Sequence, residues 1–420
     1  MGPLGSVLRV RKEKVDGGKV KFSDLQPITI HFDGTIDKRN VDGNREYTMD
    51  LFRAHPGDIV VAKIDLKNGA VGIIPPDWAN AVVTNHFAVY EPDHSKLISE
   101  YLRLLIQATF FKAHLWRNKV GAEGRKEVKL GFFEAQLIPL PPLPTQRKIV
   151  AAWEAARKSA AATAAKIEQL ERKIESCFLA DLGLKAPQQA ALPKAFAVRW
   201  KDLLRWSVSY NQLVQTGMDL SRSKYPLAEI GSQVEMIQYG TSDKANTSGN
   251  GTAVIRMNNL VNGDLDLHKL KHVRLSDAET KKLTLLDGDI LFNRTNSKEL
   301  VGKCAVFHEQ GEYVFASYLI RVRMRAALAD PDFIAYALNS PIGRQQIDAM
   351  SRQIIGQANV NSEELRSLQV PIPPLTVQRQ IVERVAERRA EIARLKADAK
   401  ACADTAKAEV EAMILGIKPV

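Results

Sequence analysis

The side chains in this sequence best suited to chemistry sit in short polar loops. Tyr239-Gly240-Thr241-Ser242-Asp243-Lys244-Ala245-Asn246 joins a flexible glycine to hydroxyls, a cation and an amide. Arg256-Met257-Asn258-Asn259 and Asn293-Arg294-Thr295-Asn296-Ser297-Lys298 each follow an apolar, β-rich run. Arg352-Gln353 and then Gln357, Asn359 and Asn361 form a further polar stretch. A guanidinium pairs with guanine through two hydrogen bonds and a carboxamide pairs likewise with adenine. Loops of this kind can therefore read base edges in duplex DNA, while lysines and hydroxyls hold phosphates. In the first half the counterparts are Lys63, Lys67, Asn68, Asn85 and His86, and the run from Lys112 to Lys129 adds Arg117, Lys119, Arg125 and Lys126. The same residue types also make ordinary turns. One loop alone therefore says little, and the argument lies in the set.

Catalytic signatures are missing. The chain has no GxxxxGK[ST] phosphate loop, no HExxH and no GxSxG elbow. His268 and His272 are four residues apart, but Lys-Leu-Lys between them marks a solvated segment rather than a metal site. No glycine-rich cofactor loop is paired with a methyltransferase motif, and no acidic nuclease motif follows the Pro-Asp pairs. The expectation is a binding protein with no catalytic residue, no metal and no cofactor.

Composition agrees with a globular protein. Of 420 residues 45% are hydrophobic and 25% charged, and the length calls for at least two domains. Lysine and arginine number 59 against 48 acidic residues, a net charge of +11 spread along the whole chain. A distributed positive field suits contact with a polyanion. No apolar run is long enough to span a membrane. Three cysteines without a CxxC pair argue against a disulfide scaffold and suit a reducing cytoplasm. Residues 1–6 include Gly-Pro-Leu-Gly-Ser, which resembles a tag-removal scar and is set outside the expected fold.

The elements that must position these loops come twice. Residues 138–150 read IPLPPLPTQRKIV and residues 370–382 read VPIPPLTVQRQIV, with identical residues at eight of thirteen positions after a shift of 232. Gly57-Asp58-Ile59 returns as Gly288-Asp289-Ile290, and a basic residue stands five positions after each aspartate, Lys63 and Arg294. The proline cluster lacks donors and fixes φ, so it ends a domain and launches a helix. After the first cluster, Ile149, Trp153, Ala156, Ala160, Thr163, Ile167, Leu170, Ile174 and Cys177 keep four–three spacing. After the second, Ile381, Val385, Arg388, Ile392, Leu395, Ala399, Cys402 and Ala406 do so, interrupted by Arg388 and continuing toward Val410 and Met413. Two apolar seams of this length predict an antiparallel coiled coil. The globular halves read as mixed α/β (α+β), with strands at Asp58–Ile64, Gly72–Ile74, Thr252–Met257, Asp289–Phe292, Lys303–Phe307 and Tyr313–Ala316. Short helices are expected at Leu97–Gln107 and Asp332–Asn339. The expected boundaries are 7–143 for the first domain, 144–184 for the first long helix, 185–375 for the second domain and 376–420 for the second long helix.

The doubled Pro-x-Pro-Pro-Leu…Gln-Arg-x-Ile-Val followed by a long helix resembles the specificity subunit of type I restriction-modification systems. The Gly-Asp-Ile segments and the Tyr239-Gly240-Thr241-Ser242 loop ahead of Val254–Asn259 add to the likeness, which covers essentially the whole chain. The resemblance implies two target-recognition domains in pseudo-twofold repeat, each reading half of a gapped site in double-stranded DNA. It also implies a coiled coil that acts as a ruler and docks two methyltransferase subunits, with restriction/translocase subunits as further partners and no membrane contact. Adenine methylation and ATP-driven cleavage would belong to those partners. The first domain departs from the pattern at its start, where little precedes Leu25 to match Trp206–Leu227; the C-terminal helix is the expected substitute. The alternative from the residues alone is a coiled-coil scaffold or tethering protein whose domains bind protein.

Overall fold

The structure, a computed structural model, describes residues 1–16, 20–39, 49–119, 127–186, 195–200, 206, 208, 211–212, 217–297, 300–350, 352–354 and 357–419. It divides into two compact units, Met1–Ala165 with Leu395–Val420, and Lys166–Arg394. Each long helix, Leu143–Asp181 and Leu375–Ile414, begins in one unit and ends in the other.

In the first unit, Leu8–Arg11, Phe87–Pro92, Ile59–Ala62 and Val71–Ile73 form an antiparallel sheet in that order. In the second unit, Val234–Tyr239, Leu319–Met324, Ile290–Asn293 and Cys304–Val306 repeat it. Continuous apolar runs make the inner strands: Ile59, Val60 and Val61, like Ile290, Leu291 and Phe292, are fully buried. Beside each sheet lies a second one with a parallel pair, Gln26–Ile30 with Ala81–Thr84 and Thr252–Ile255 with Tyr313–Phe315. Helices Ser99–Gln107 and Pro331–Asn339 cover the first sheet in each unit. The sheets therefore have the same plan, as the repeated sequence predicts.

Two of the repeated residues hold the fold. Asp58 and Asp289 follow Gly57 and Gly288, whose φ values of +86° and +83° favour glycine. Each aspartate accepts a backbone N–H three residues earlier, from His55 at 2.8 Å and Leu286 at 2.9 Å. Each is then neutralised by arginine, Arg11 at 2.8 Å in one unit and Arg323 at 2.7 Å in the other, from different strands of the sheet. Gln146 and Gln378 are fully buried. Gln146 accepts from Ile98 N and donates to the carbonyls of Lys96 and Pro141; Gln378 accepts from Asp330 N and donates to those of Leu328 and Pro373. All three partners move by 232 together. The glutamine thus clamps the proline strut and the helix start to the domain.

Within each unit the start of one long helix lies beside the end of the other. Ile149 and Trp153 share a core with Val410, Met413 and Ile414, and Glu411 accepts from Thr109. Phe178 and Leu179 share a core with Ile381 and Val385, and Arg384 pairs with Asp181 at 2.7 Å. The helices therefore run antiparallel. Seam residues Ile149, Ile167, Ile174, Ile381, Ile392 and Val410 are buried, whereas Ala160 and Cys402 are exposed.

One expectation needs correction. Residues 2–6 are part of the fold: Gly2–Pro3 pairs with Leu137–Ile138, and Leu4 is fully buried in the core. Gly2–Arg11 also builds the start of the first domain. Its two strands occupy the places of Leu227–Glu229 and Val234–Tyr239 in the second unit. The apolar residues that do this number only a few, so neither periodicity nor alternation exposed them.

Candidate nucleic-acid interface

The loops after Tyr239 and Asn293 leave one end of the four-stranded sheet in the second unit, and the Lys63 loop leaves that of the first. In the second unit Asn293 pairs with Leu319 and Tyr239 with Ile320, so the chain leaves two strands on either side of Tyr318. There Arg294 is held through its backbone: its N–H donates to Tyr318 O at 3.0 Å, and its carbonyl accepts from Val360 N at 2.9 Å. In the first unit Lys63 N donates to His86 O at 3.1 Å, and Lys63 O accepts from Val128 N at 3.4 Å. His86 and Val128 correspond to Tyr318 and Val360 at the repeat shift. One backbone frame thus presents a cation at the same corner of both units.

Around Arg294 the structure gathers several of the sequence candidates. Its guanidinium carbon lies 5.1 Å from the centre of the Tyr239 ring. Its Nε is buried with no hydrogen-bond partner among the described residues, and Tyr239 is 40% exposed. Thr295 Oγ1 donates to Asn359 Oδ1 at 3.1 Å as strand Thr295–Asn296 pairs with Gln357–Asn359. Tyr239 Oη accepts from Ser362 N at 3.0 Å, which ties the loop to the following helix. A cation stacked beside an aromatic ring, with an exposed hydroxyl and carboxamide next to it, can meet both a phosphate and a base edge. Tyr318, 51% exposed at the centre of this group, was missed. Its match to His86 in the repeat was the available signal.

A second group lies on the Tyr239–Asn246 loop. Gly240 is forced by close approach, since a Cβ there would meet Phe315 O at 2.2 Å. The loop then runs beside residues 315–317 through Thr241 N to Phe315 O and Ser317 N to Thr241 O. Thr241 Oγ1 donates to Asp243 at 3.0 Å, while Ser242 and Lys244 are exposed. Lys244 and Arg274 border one cleft with Asp243, Asn246 and Ser248. Arg274 is not among the residues singled out from the sequence.

Several candidates are occupied by the fold itself. Asn259 is 3% exposed; its Oδ1 accepts from Arg256 N and its Nδ2 donates to Asp266 O. Asn246 bonds Asn250, His272 and Ser248, and Asn361 caps a helix through Glu364 N at 2.8 Å. These asparagines fit the turn chemistry that competes with base reading. Arg256 is half-buried, its Nε without a hydrogen-bond partner among the described residues, and Asn258 is exposed.

In the first unit Lys63 Nζ donates to Asn85 O at 2.5 Å, which joins Lys63, Asn85 and exposed His86. Lys67 Nζ donates to Ile64 O, and Asn68 donates to Asp65 at 3.1 Å, in a turn packed against helix Thr109–Arg117. Arg117 is exposed at the end of that helix, and Lys119 Nζ stands 3.4 Å from the Trp116 ring centre. Arg125, Lys126 and Lys298 lie outside the described residues, as do the side chains of Asn296, Arg352 and Gln357. Among the described residues no cluster of His, Cys, Asp or Glu could hold a metal ion, and no helix is long and apolar enough to cross a membrane.

Comparison with known proteins places this geometry. The sequence model of the type I restriction modification DNA specificity domain matches residues 19–172 and again 227–395. The type I restriction enzyme EcoKI specificity subunit of Escherichia coli (strain K12) is 26% identical over 285 residues, 66% of this chain and 57% of that protein. The putative type I restriction enzyme MjaX specificity subunit of Methanocaldococcus jannaschii is 26% identical over 161 residues, 38% of each chain. A solved chain, described as the structural basis underlying complex assembly and conformational transition of the type I R-M system, superposes with a TM-score of 0.64. The superposition covers 98% of this chain and 95% of that one at 17% identity, which shows the fold. The chain belongs to the type I restriction modification DNA specificity domain family and carries its pattern twice.

Proposed function

We propose that this protein recognises a bipartite, gapped sequence in double-stranded DNA, one part through each unit, and is not itself a catalyst. In this reading it brings two methyltransferase subunits, and restriction or translocase subunits, to that site in the cytoplasm. The observation that carries it is the shared backbone frame presenting Lys63 in one unit and Arg294 in the other, surrounded by different side chains. Equal frames with unequal side chains suit two half-sites with different base sequences. The Lys, Arg, Asn and Thr groups around them suit combined phosphate and base contact. Selection of bound duplexes from a random pool, with the methyltransferase present, tests the reading. Two different short words separated by a constant gap are expected. A single continuous word, or no enrichment at all, would refute it. The named relatives, being specificity subunits of type I restriction enzymes, favour the same reading.

A further inference from the structure

The two copies of the repeat differ where a short helix starts against the Gly-Asp turn. In the second unit the chain itself closes the start of helix Pro331–Asn339. Asp330 caps it, one carboxylate oxygen accepting from Asp332 N and Phe333 N at 3.1 Å each. Pro331 lies over the turn, its Cγ 3.4 Å from where a side chain on Gly288 would begin.

At the repeat shift the first unit has Ile98 in place of Asp330 and Ser99 in place of Pro331. Among the described residues no side chain caps helix Ser99–Gln107, where the amides of Glu100 and Tyr101 correspond to those of Asp332 and Phe333. A side chain on Gly57, the counterpart of Gly288, would meet nothing within 4 Å. A cleft of about 340 Å³ stands open there, bordered by Gly57, His94, Ile98, Ser99, Glu100 and Arg147. Ser99 is 6% exposed, and its Oγ has no hydrogen-bond partner among the described residues. His94 and Arg147 are exposed and without an ion-pair partner among the described residues. The charge of Glu100 is offset by Arg103: burial and Arg157 lower the Arg103 pKa, and Glu100, Asp33 and Glu154 oppose that. Arg147 and the helix amides are then left to set the polarity of the cleft.

We propose that this cleft binds a carboxylate, supplied from outside the chain, at the amides of Glu100 and Tyr101, in the place that Asp330 fills from within in the other unit. A helix N-terminus favours negative charge, and a carboxylate can accept from both amides and from the Ser99 hydroxyl. A cation would face Arg147 and the positive end of the helix, and an apolar guest would leave the donors unmet. The cleft lies at the lower end of the ordinary size range for small-ligand sites.

The full chain labelled with [15N]tyrosine tests this, because the Tyr101 amide is itself one of the expected donors; Tyr101→Phe identifies its resonance. Acetate is expected to shift that resonance to saturation, with affinity about tenfold or more above that of neutral acetamide. Ile98→Asp supplies the cap from within and should abolish the acetate response. If Ile98→Asp fails to fold, Ser99→Pro copies the second unit and must weaken the response; Ile98, at φ −92° and ψ 124°, already has backbone that a following proline accepts. A blocked Gly-Glu-Gly peptide acting at lower concentration than acetate would identify the source as a side chain of a polypeptide, and the reverse order a free carboxylate. No response to either in the folded chain, an equal response to acetamide, a response to phosphate but not to acetate, or an undiminished response in the filled variants would overturn the proposal. The test contains no DNA, so its failure is separate from any failure of the recognition reading.

Discussion

Arg294 has its backbone fixed on both sides, its Nε buried and its head beside an exposed tyrosine ring. Such a side chain gives up little freedom on meeting a ligand, because the sheet end has already ordered it. Arg294→Ala is expected to cost about 1–3 kcal/mol of discrimination at one half-site and leave the other unchanged. Binding measured on duplexes varied one base at a time checks this; uniform weakening would assign Arg294 to a phosphate. Asn259→Ala should do the opposite. It removes two hydrogen bonds in a buried place, so denaturant unfolding should show a loss of about 1–3 kcal/mol with sequence preference intact. His308 makes a third residue-scale case. Burial works to lower its pKa, but Asp287 at 2.7 Å and Asp332 at 3.2 Å outweigh that and raise it above the ordinary histidine value. The stabilisation is complete below the unfolded-state pKa and is lost as pH rises through the higher folded value. His308→Gln should therefore lower the melting temperature at pH 5 and have much less effect at pH 9.

At the scale of elements, the informative part is the joint between proline strut and long helix. Gln146 and Gln378 each satisfy three backbone groups that prolines and helix starts leave unpaired. Replacing either by alanine strands those groups in a dry place. Gln146→Ala should loosen the first unit and Gln378→Ala the second, each by about 1–3 kcal/mol. Hydrogen exchange at Ile98 in one variant and Asp330 in the other reads the loss locally; protection that falls in both units together would contradict separate clamps. The glutamine was visible in the repeat as an identity. Its purpose was not, because a polar residue inside an apolar helix face reads as surface until its partners are placed.

At the scale of the whole molecule, one chain passes twice through the same plan, and each unit takes the end of a helix begun in the other. Seven residues inserted into both helices keep the apolar seam in phase. They add about 10.5 Å at 1.5 Å per residue, close to three base pairs at 3.4 Å each. The recognised gap should lengthen by about that number while both half-site words stay the same; mapping methylated sites in a host carrying the altered chain with its methyltransferase measures it. An unchanged gap would mean that helix length does not set the spacing.

The repeat, the two long helices and the inner strands were legible in the sequence because each rests on a local rule: proline chemistry, heptad spacing, and runs of branched apolar residues. Pairing partners were not. Residues 2–6 were set outside the expected fold, yet with residues 7–11 they complete two sheets, since strand pairing depends on neighbours far along the chain. The loops with Arg, Asn and Thr could be found by residue type, but the split within them could not. Asn259 and Asn361 turn inward to satisfy backbone groups, whereas Asn359 stays exposed and Tyr318 joins the group unannounced. Composition decides which side chains are present near a strand end; only the folded backbone decides which of them already have a hydrogen-bond partner and which still face solvent.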